Sequence, residues 1–154
     1  MHGPAYGTGY FGSDKLLAQT VEEFLDENPN QRIRAIFSGH DHVFAAFKRK
    51  DVFLFVNGVG GGKLDHPFEY KSGYKLSRKW PTDELHGPLN VTGSRTQGYQ
   101  YHLDSINKYT KTVVKIEGEK ITYSCVNLLT NKTELEYIQK IHNDGNSDIK
   151  AAPM

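Results

Sequence analysis

Residues 33–42 read IRAIFSGHDH, an apolar run followed by a short segment of glycine, histidine and aspartate. The first six residues have the composition of a strand with a mostly buried end. Residues 39–42 (GHDH) follow that strand directly. Ligands of an open α/β sheet bind in the crevice beyond the carboxyl ends of the strands, so a binding site is expected at these four residues.

An amphipathic helix of about four turns is predicted before this strand, because apolar residues recur there at helical spacing. Those residues are Leu16, Leu17, Val21, Phe24 and Leu25. Ser13 or Asp14 can cap its start, and residues 28–30 (NPN) end it. A helix that leads into a buried strand indicates an α/β layer.

The rest of the regular pattern predicts β-hairpins. Residues 43–47 and 52–56 form the arms of one hairpin, and residues 111–117 and 120–127 form a second, with a tight turn at a glycine. Residues 134–142 fit either a last strand or a short helix. The predicted fold class is therefore α/β (α+β), mostly β with one clear helix.

Two segments show no sustained periodicity. Residues 63–109 are rich in Gly, Pro, Tyr and His and are expected to be a long irregular insertion within a domain spanning 1–142. Residues 143–154 are polar and are expected to be a disordered tail.

Composition excludes several classes of protein. The 154 residues carry 19 basic and 18 acidic side chains without a block of either sign, so no nucleic-acid footprint is expected. The single cysteine, Cys125, excludes an internal disulfide or a thiolate metal cage, and its strand-like flanks predict a buried thiol. No apolar run approaches the ~20 residues of a membrane span, and no signal pattern is visible, so a soluble chain is expected, its compartment left open.

His40 and His42 are the candidate metal ligands. In extended backbone, residues two apart project to the same side with Cα atoms roughly 6.5–7 Å apart. Two such imidazoles can each take one of two ions about 3.5–4 Å apart. Gly39 leaves room for a turn, and Asp41, pointing the other way, would anchor the loop. A chance pair is the alternative, since seven histidines in 154 residues produce His-x-His often.

At this point the sequence resembles the calcineurin-like metallophosphoesterases, most closely their purple-acid-phosphatase-like members. His2, Pro4 and Tyr6 lie in a loop that resembles the family's single-histidine motif. Residues 39–42 match its Gly-His-x-His motif, and residues 56–62 (VNGVGGG) are similar to the glycine-rich segment that follows. The resemblance covers residues 1–62 well and residues 110–128 loosely.

The resemblance implies a fold and a site. The fold would be the C-terminal half of a four-layer α/β/β/α sandwich. His2 and His40 would bind one metal ion and His42 the other, the ions being drawn from Fe, Mn and Zn, with two in the full domain. The implied reaction is hydrolysis of a phosphate mono- or diester by a metal-activated water.

The family's remaining motifs, Asp-x-His, Gly-Asp and Asn-His, do not occur in this sequence. No catalytic residue is therefore assigned, and the chain alone is expected to hold one ion or none and to be inactive. The N-terminal half would be absent or supplied by another chain, and pairing with a second copy is a third possibility. A truncated layer also predicts an exposed apolar strand around residues 33–37, hence self-association.

Weaker candidates for contacts with a phosphate-ester substrate are Tyr6, His66, His86 and Arg95, for which a structural or surface role is the ordinary alternative. A function of a different class also stays open. The chain could be a non-catalytic β-rich binding or scaffold module in which the histidine cluster is vestigial or holds one ion. Substrate and metal identity are not determined by the sequence.

Overall fold

The computed structural model describes residues 3–9, 12–29, 32–60, 62–64, 69–71, 75–77 and 101–151. Within these ranges the fold is mostly β with one helix, as the sequence predicted, and it contains ten strands. The elements in chain order are α1 (Lys15–Glu27), β1 (Ala35–Ser38), β2 (Phe44–Arg49), β3 (Val52–Asn57), β4 (Glu69–Lys71), β5 (Lys75–Ser77), β6 (His102–Ile106), β7 (Thr110–Glu117), β8 (Lys120–Asn127), β9 (Thr133–Ile141) and β10 (Ser147–Ala151). No helix in these ranges is long and apolar enough to cross a membrane.

The predicted helix is confirmed, with Asp14 as its N-cap. The Asp14 Oδ1 atom accepts a 2.9 Å hydrogen bond from the Leu17 N–H, which satisfies one of the unpaired donors of the first turn. At the other end the Asn28 N–H donates to the Phe24 carbonyl at 3.1 Å. The helix buries Ala18, Val21 and Leu25 against the first sheet.

The first sheet has the strand order β1-β3-β2-β6. β1 pairs with β3 in parallel, so that Ser38 at the end of β1 lies beside Val56 near the end of β3. β2 runs antiparallel to both β3 and β6. The carboxyl ends of β1 and β3 therefore lie side by side at one end of the sheet, and the residues that follow each strand emerge there together.

Both faces of this sheet are covered, because alternate residues of a strand point to opposite sides. In β3, Val52, Leu54 and Val56 pack toward the helix with Tyr6, Ala45 and Phe47. Phe53 and Phe55 face the second sheet, whose order is β10-β9-β8-β7. The described residues thus form three successive layers of helix, sheet and sheet; the fourth layer of the expected sandwich stays a prediction.

Cys125 contributes to the core between the two sheets. It is 1% exposed and unpaired with another cysteine, as its strand-like flanks predicted. Burial raises the pKa of its thiol to about 11. The thiol is therefore held in its neutral form at ordinary pH.

The expected irregularity of residues 63–109 is wrong for three strands. β4 and β5 form a short hairpin, and β6 completes the first sheet beside β2. β6 reads HLDSI, in which an exposed leucine lies between polar residues that face the protein. The sequence of β6 lacks the alternation of apolar and polar residues that identifies a strand. Its formation depends on contacts with neighbouring elements instead.

The expected disorder of residues 143–154 is also wrong over β10. That strand pairs with β9 from Ser147 opposite Ile141 to Ala151 opposite Tyr137. A turn with Gly145 at φ +86° joins the two strands. The pair Asp144-Gly145 is a strong hairpin signal. The polar residues around it predicted disorder instead.

Two sheet edges carry exposed apolar side chains. Among the described strands, β1 lies at one edge of the first sheet and β7 at one edge of the second. Phe37 is 39% exposed, and Val114 and Ile116 on β7 are 43% and 70% exposed. The exposed strand expected around residues 33–37 is therefore present, while self-association remains a prediction.

Candidate metal centre

The histidine loop, residues 39–42, follows β1 at the end of the sheet where β3 also ends. Its backbone passes so close to the residue after β3 that a Cβ atom on Gly58 would overlap the carbonyl oxygen of Asp41. Only glycine allows this approach. The parallel pairing of β1 with β3 therefore fixes the position of the loop.

A tight turn is centred on His40. The Asp41 N–H donates to the Gly39 carbonyl at 2.9 Å, and His40 has φ +71°, the pattern of a three-residue γ-turn. A non-glycine residue in this region is strained by about 1–3 kcal/mol. The expectation that His40 and His42 project to the same side from extended backbone is therefore wrong. The strained residue is His40, which is exposed, and not Gly39.

Asp41 is fully buried and anchors the loop, as predicted. Its Oδ2 atom accepts a 3.1 Å hydrogen bond from the Gly9 N–H. Cβ atoms added to Gly7 or Gly9 would lie 2.7 Å from Asp41 side-chain atoms, so the N-terminal loop packs directly on this carboxylate. The loop that His2 precedes thus runs beside the histidine loop, while His2 itself lies outside the described residues.

His42 is held by the glycine-rich segment after β3. Its Nδ1 atom lies 2.7 Å from the carbonyl oxygen of Lys63. A carbonyl oxygen only accepts, so Nδ1 carries the proton, and in the neutral ring the lone pair is on Nε2. Metal-binding histidines in proteins are commonly oriented by this kind of bond to a backbone carbonyl. The geometry of His42 fits a metal ligand that binds through Nε2.

The ligand set in the described ranges is small. They contain no group of three or more His, Cys, Asp or Glu side chains placed to hold an ion, a statement that leaves His2 untested. Imidazole nitrogen without thiolate suits Zn or Fe, whereas Mn prefers oxygen ligands. His42 therefore fits the role of one ligand of such an ion.

Tyr6, proposed from the sequence as a substrate contact, lies in the core under the helix. It is 1% exposed, and its hydroxyl donates a 2.6 Å hydrogen bond to Glu22 Oε1. Burial, together with Glu22, raises the pKa of this hydroxyl far above its ordinary value. This position gives no support to a substrate role. The other three candidates, His66, His86 and Arg95, lie outside the described residues.

A pocket of about 510 Å³ opens beside the histidine loop. It is lined by Phe37, Ser38, Gly39, Asn57, Thr112 and Val114. The Asn57 Nδ2 group donates to Thr112 Oγ1 at 3.0 Å, which links the end of β3 to β7. Sequence reasoning missed this pair; the available signal was a polar residue ending a strand parallel to β1.

No family model matches this chain, and a search of curated proteins finds no match either. Among solved structures the chain is similar to GAP50, described as the anchor in the inner membrane complex of Plasmodium, with a TM-score of 0.56 and 13% identity. The match covers 88% of this chain and 33% of that chain, so this chain spans about a third of its neighbour's length. At this identity the similarity concerns the fold alone.

Proposed function

We propose that this chain is the histidine-bearing C-terminal part of a metal-dependent phosphoesterase domain that hydrolyses phosphate mono- or diesters at a dinuclear site. The observation that carries the proposal is the hydrogen bond from His42 Nδ1 to the Lys63 carbonyl at 2.7 Å. That bond fixes the tautomer in which Nε2 can bind a metal ion. The loop also lies beyond the carboxyl ends of two parallel strands, where α/β proteins bind ligands.

The residues have separate roles in this proposal. His42 holds one ion through Nε2, and His40 together with His2 holds the other. Asp41 binds no metal; it fixes the loop by accepting from the Gly9 N–H. Bound ions of this kind polarise a phosphate ester and lower the pKa of a coordinated water. The strained γ-turn at His40 is consistent with a functional loop, since strained residues cluster at such sites.

The site needs carboxylate ligands from outside this chain. The one carboxylate within the loop, Asp41, is fully buried and turned toward Gly9. The sequence lacks Asp-x-His, Gly-Asp and Asn-His. In the proposed domain these groups come from an N-terminal half. The fold neighbour GAP50 is long enough to include such an additional half, because this chain spans about a third of its length.

Metal binding by the chain tests the proposal. Equilibrium dialysis against Zn²⁺ or Mn²⁺ should show no more than one ion per chain, bound more weakly in His42→Ala and lost when His40 and His42 are both replaced by alanine. His142→Ala is the matched control, because His142 is a partly exposed histidine at the β9–β10 turn, beside Arg34 at the other end of β1. Equal metal binding by wild type and His42→Ala would overturn the assignment.

A second test concerns catalysis. The coding sequence that adjoins this chain on its N-terminal side should encode the three missing motifs in the same reading frame. A protein that joins the two parts should hydrolyse p-nitrophenyl phosphate, whereas the 154-residue chain alone should not. Hydrolysis by the chain alone, or an adjoining sequence without those motifs, would contradict the proposal.

A non-catalytic scaffold module is the second candidate. It is favoured by the fold shared with GAP50, which is described as an anchor, and by the exposed apolar residues Phe37, Val114 and Ile116 on two sheet edges. This function requires no adjoining carboxylate motifs and at most one bound ion. The adjoining coding sequence therefore separates it from the phosphoesterase.

A further inference from the structure

We propose that Gly62 is the positioning residue that sets the orientation of the His42 imidazole. The inference rests on the proposed function, in which His42 binds metal, and deepens it by assigning a role to the glycine-rich segment after β3. The segment meets the ring twice, through the Cα of Gly62 and through the carbonyl of Lys63.

The first contact is steric. A Cβ atom added to Gly62 would lie 2.5 Å from His42 Cε1, 2.8 Å from Nδ1 and 3.0 Å from Nε2. Two atoms of the ring would thus overlap the added Cβ and a third would be in tight contact with it, so the imidazole lies directly against the backbone of this glycine. Any side chain at Gly62 has to displace the ring or move the segment.

The second contact is polar and comes from the next residue. The Lys63 carbonyl accepts from His42 Nδ1, so a displaced ring loses the bond that fixes its tautomer. Groups that orient a metal-binding histidine typically change metal affinity by about 10–100-fold when they are altered. One substitution at Gly62 would therefore disturb both the position and the protonation pattern of the ligand.

The other two described glycines of the segment, Gly58 and Gly60, have different surroundings. A Cβ on Gly60 would meet nothing within 4 Å, and one on Gly58 would overlap Asp41 rather than His42. Gly60→Ala and Gly62→Ala each remove one glycine from the same segment, but only Gly62 contacts His42. Gly60→Ala is therefore a matched control two residues away.

The experiment compares Gly62→Ala with Gly60→Ala in the 154-residue chain. Long-range ¹⁵N–¹H NMR of the metal-free proteins, at a pH where imidazoles are neutral, should show His42 protonated at Nδ1 in wild type and Gly60→Ala. Gly62→Ala should lose that single tautomer. The Kd for Zn²⁺ should rise about 10–100-fold in Gly62→Ala and stay within about twofold in Gly60→Ala.

Retention of the wild-type tautomer by Gly62→Ala would overturn the role of Gly62, as would an unchanged Zn²⁺ affinity. The two readouts separate this inference from the proposed function. Failure of the wild-type chain to bind Zn²⁺ removes the metal site, while the metal-free tautomer comparison still decides whether Gly62 positions His42. A urea unfolding curve for Gly62→Ala that overlays that of Gly60→Ala shows that both fold alike.

Discussion

The Gly9 N–H donates a 3.1 Å hydrogen bond to Oδ2 of Asp41, which joins the N-terminal loop to the histidine loop across 32 residues of chain. Asp41 lies between His40 and His42, and the Gly9 loop continues from His2. The bond therefore holds next to each other two segments that carry all three proposed histidine ligands.

Replacement of Asp41 by alanine should destabilise the protein. The Gly9 N–H would lose its acceptor at a buried position, which costs about 1–3 kcal/mol. Urea unfolding followed by circular dichroism measures the loss. Asp26→Ala is the comparison, since the Asp26 side chain is 51% exposed where it pairs with Arg49 and Lys50. An Asp41→Ala midpoint equal to that of wild type would show that the anchor is dispensable.

Gln139 is a buried amide that joins three parts of the fold. Its Oε1 accepts from the Tyr123 hydroxyl at 3.0 Å, and its Nε2 donates to the Asp51 carbonyl at 2.7 Å and to Ser147 Oγ at 2.9 Å. Gln139→Leu keeps the approximate shape but leaves these polar groups unpaired. The free energy of unfolding should fall by about 1–3 kcal/mol for each group left unsatisfied.

Gln19→Leu provides the comparison for this substitution, because Gln19 is exposed on α1. It should leave the urea midpoint close to that of wild type. Equal midpoints for Gln139→Leu and Gln19→Leu would mean that the buried amide network contributes nothing measurable to stability.

The stability of the fold should depend on the protonation of His102. Burial lowers the pKa of this imidazole from its ordinary 6.5, and the nearby Asp104 opposes the shift only in part. The unfolded chain therefore takes up the proton first as pH falls. The stabilisation is complete above about pH 6.5 and is lost as pH falls from there through the folded pKa.

His102→Gln should flatten this dependence. Unfolding free energies measured between about pH 5 and 8 should rise with pH in wild type and less steeply in the variant. A slope unchanged by His102→Gln would assign the acid sensitivity to other groups.

The Cys125 thiol should make stability fall as pH rises, which is the opposite direction to the effect of His102. Burial raises the pKa of its thiol from 9.0 to about 11, so the folded state holds this proton more tightly than the unfolded chain. Its stabilisation is complete below pH 9 and is lost as pH rises through about 11. Cys125→Ala should show a smaller loss of unfolding free energy across this interval than wild type. Identical losses would exclude the thiol as a source.

Local sequence pattern was sufficient for much of the fold. The helix has regular apolar spacing and a capping aspartate, and strands such as β3 are continuously apolar because both faces are buried. β6 and β10 were missed for a different reason. The residues of β6 are mostly half-buried and lack apolar alternation, and β10 begins with two polar residues, Ser147 and Asp148. Each pairs with a strand that its own local pattern does not reveal.

The candidate site was predictable in position but not in geometry. The order of strand, glycine and His-x-His located the loop and the anchoring role of Asp41. The positive φ of His40 could not be read from residue types, because histidine rarely adopts it and the constraint comes from the bond between Asp41 and Gly39. The contact of His42 with residues 62 and 63 likewise depends on how the segment after β3 folds back.

X-ray absorption at the zinc edge of the Zn²⁺-loaded chain tests the central claim, that His42 is a metal ligand through Nε2, most directly. The account predicts imidazole scattering around the ion that decreases in His42→Ala and is unchanged in His142→Ala. A spectrum that is the same in wild type and His42→Ala would contradict it.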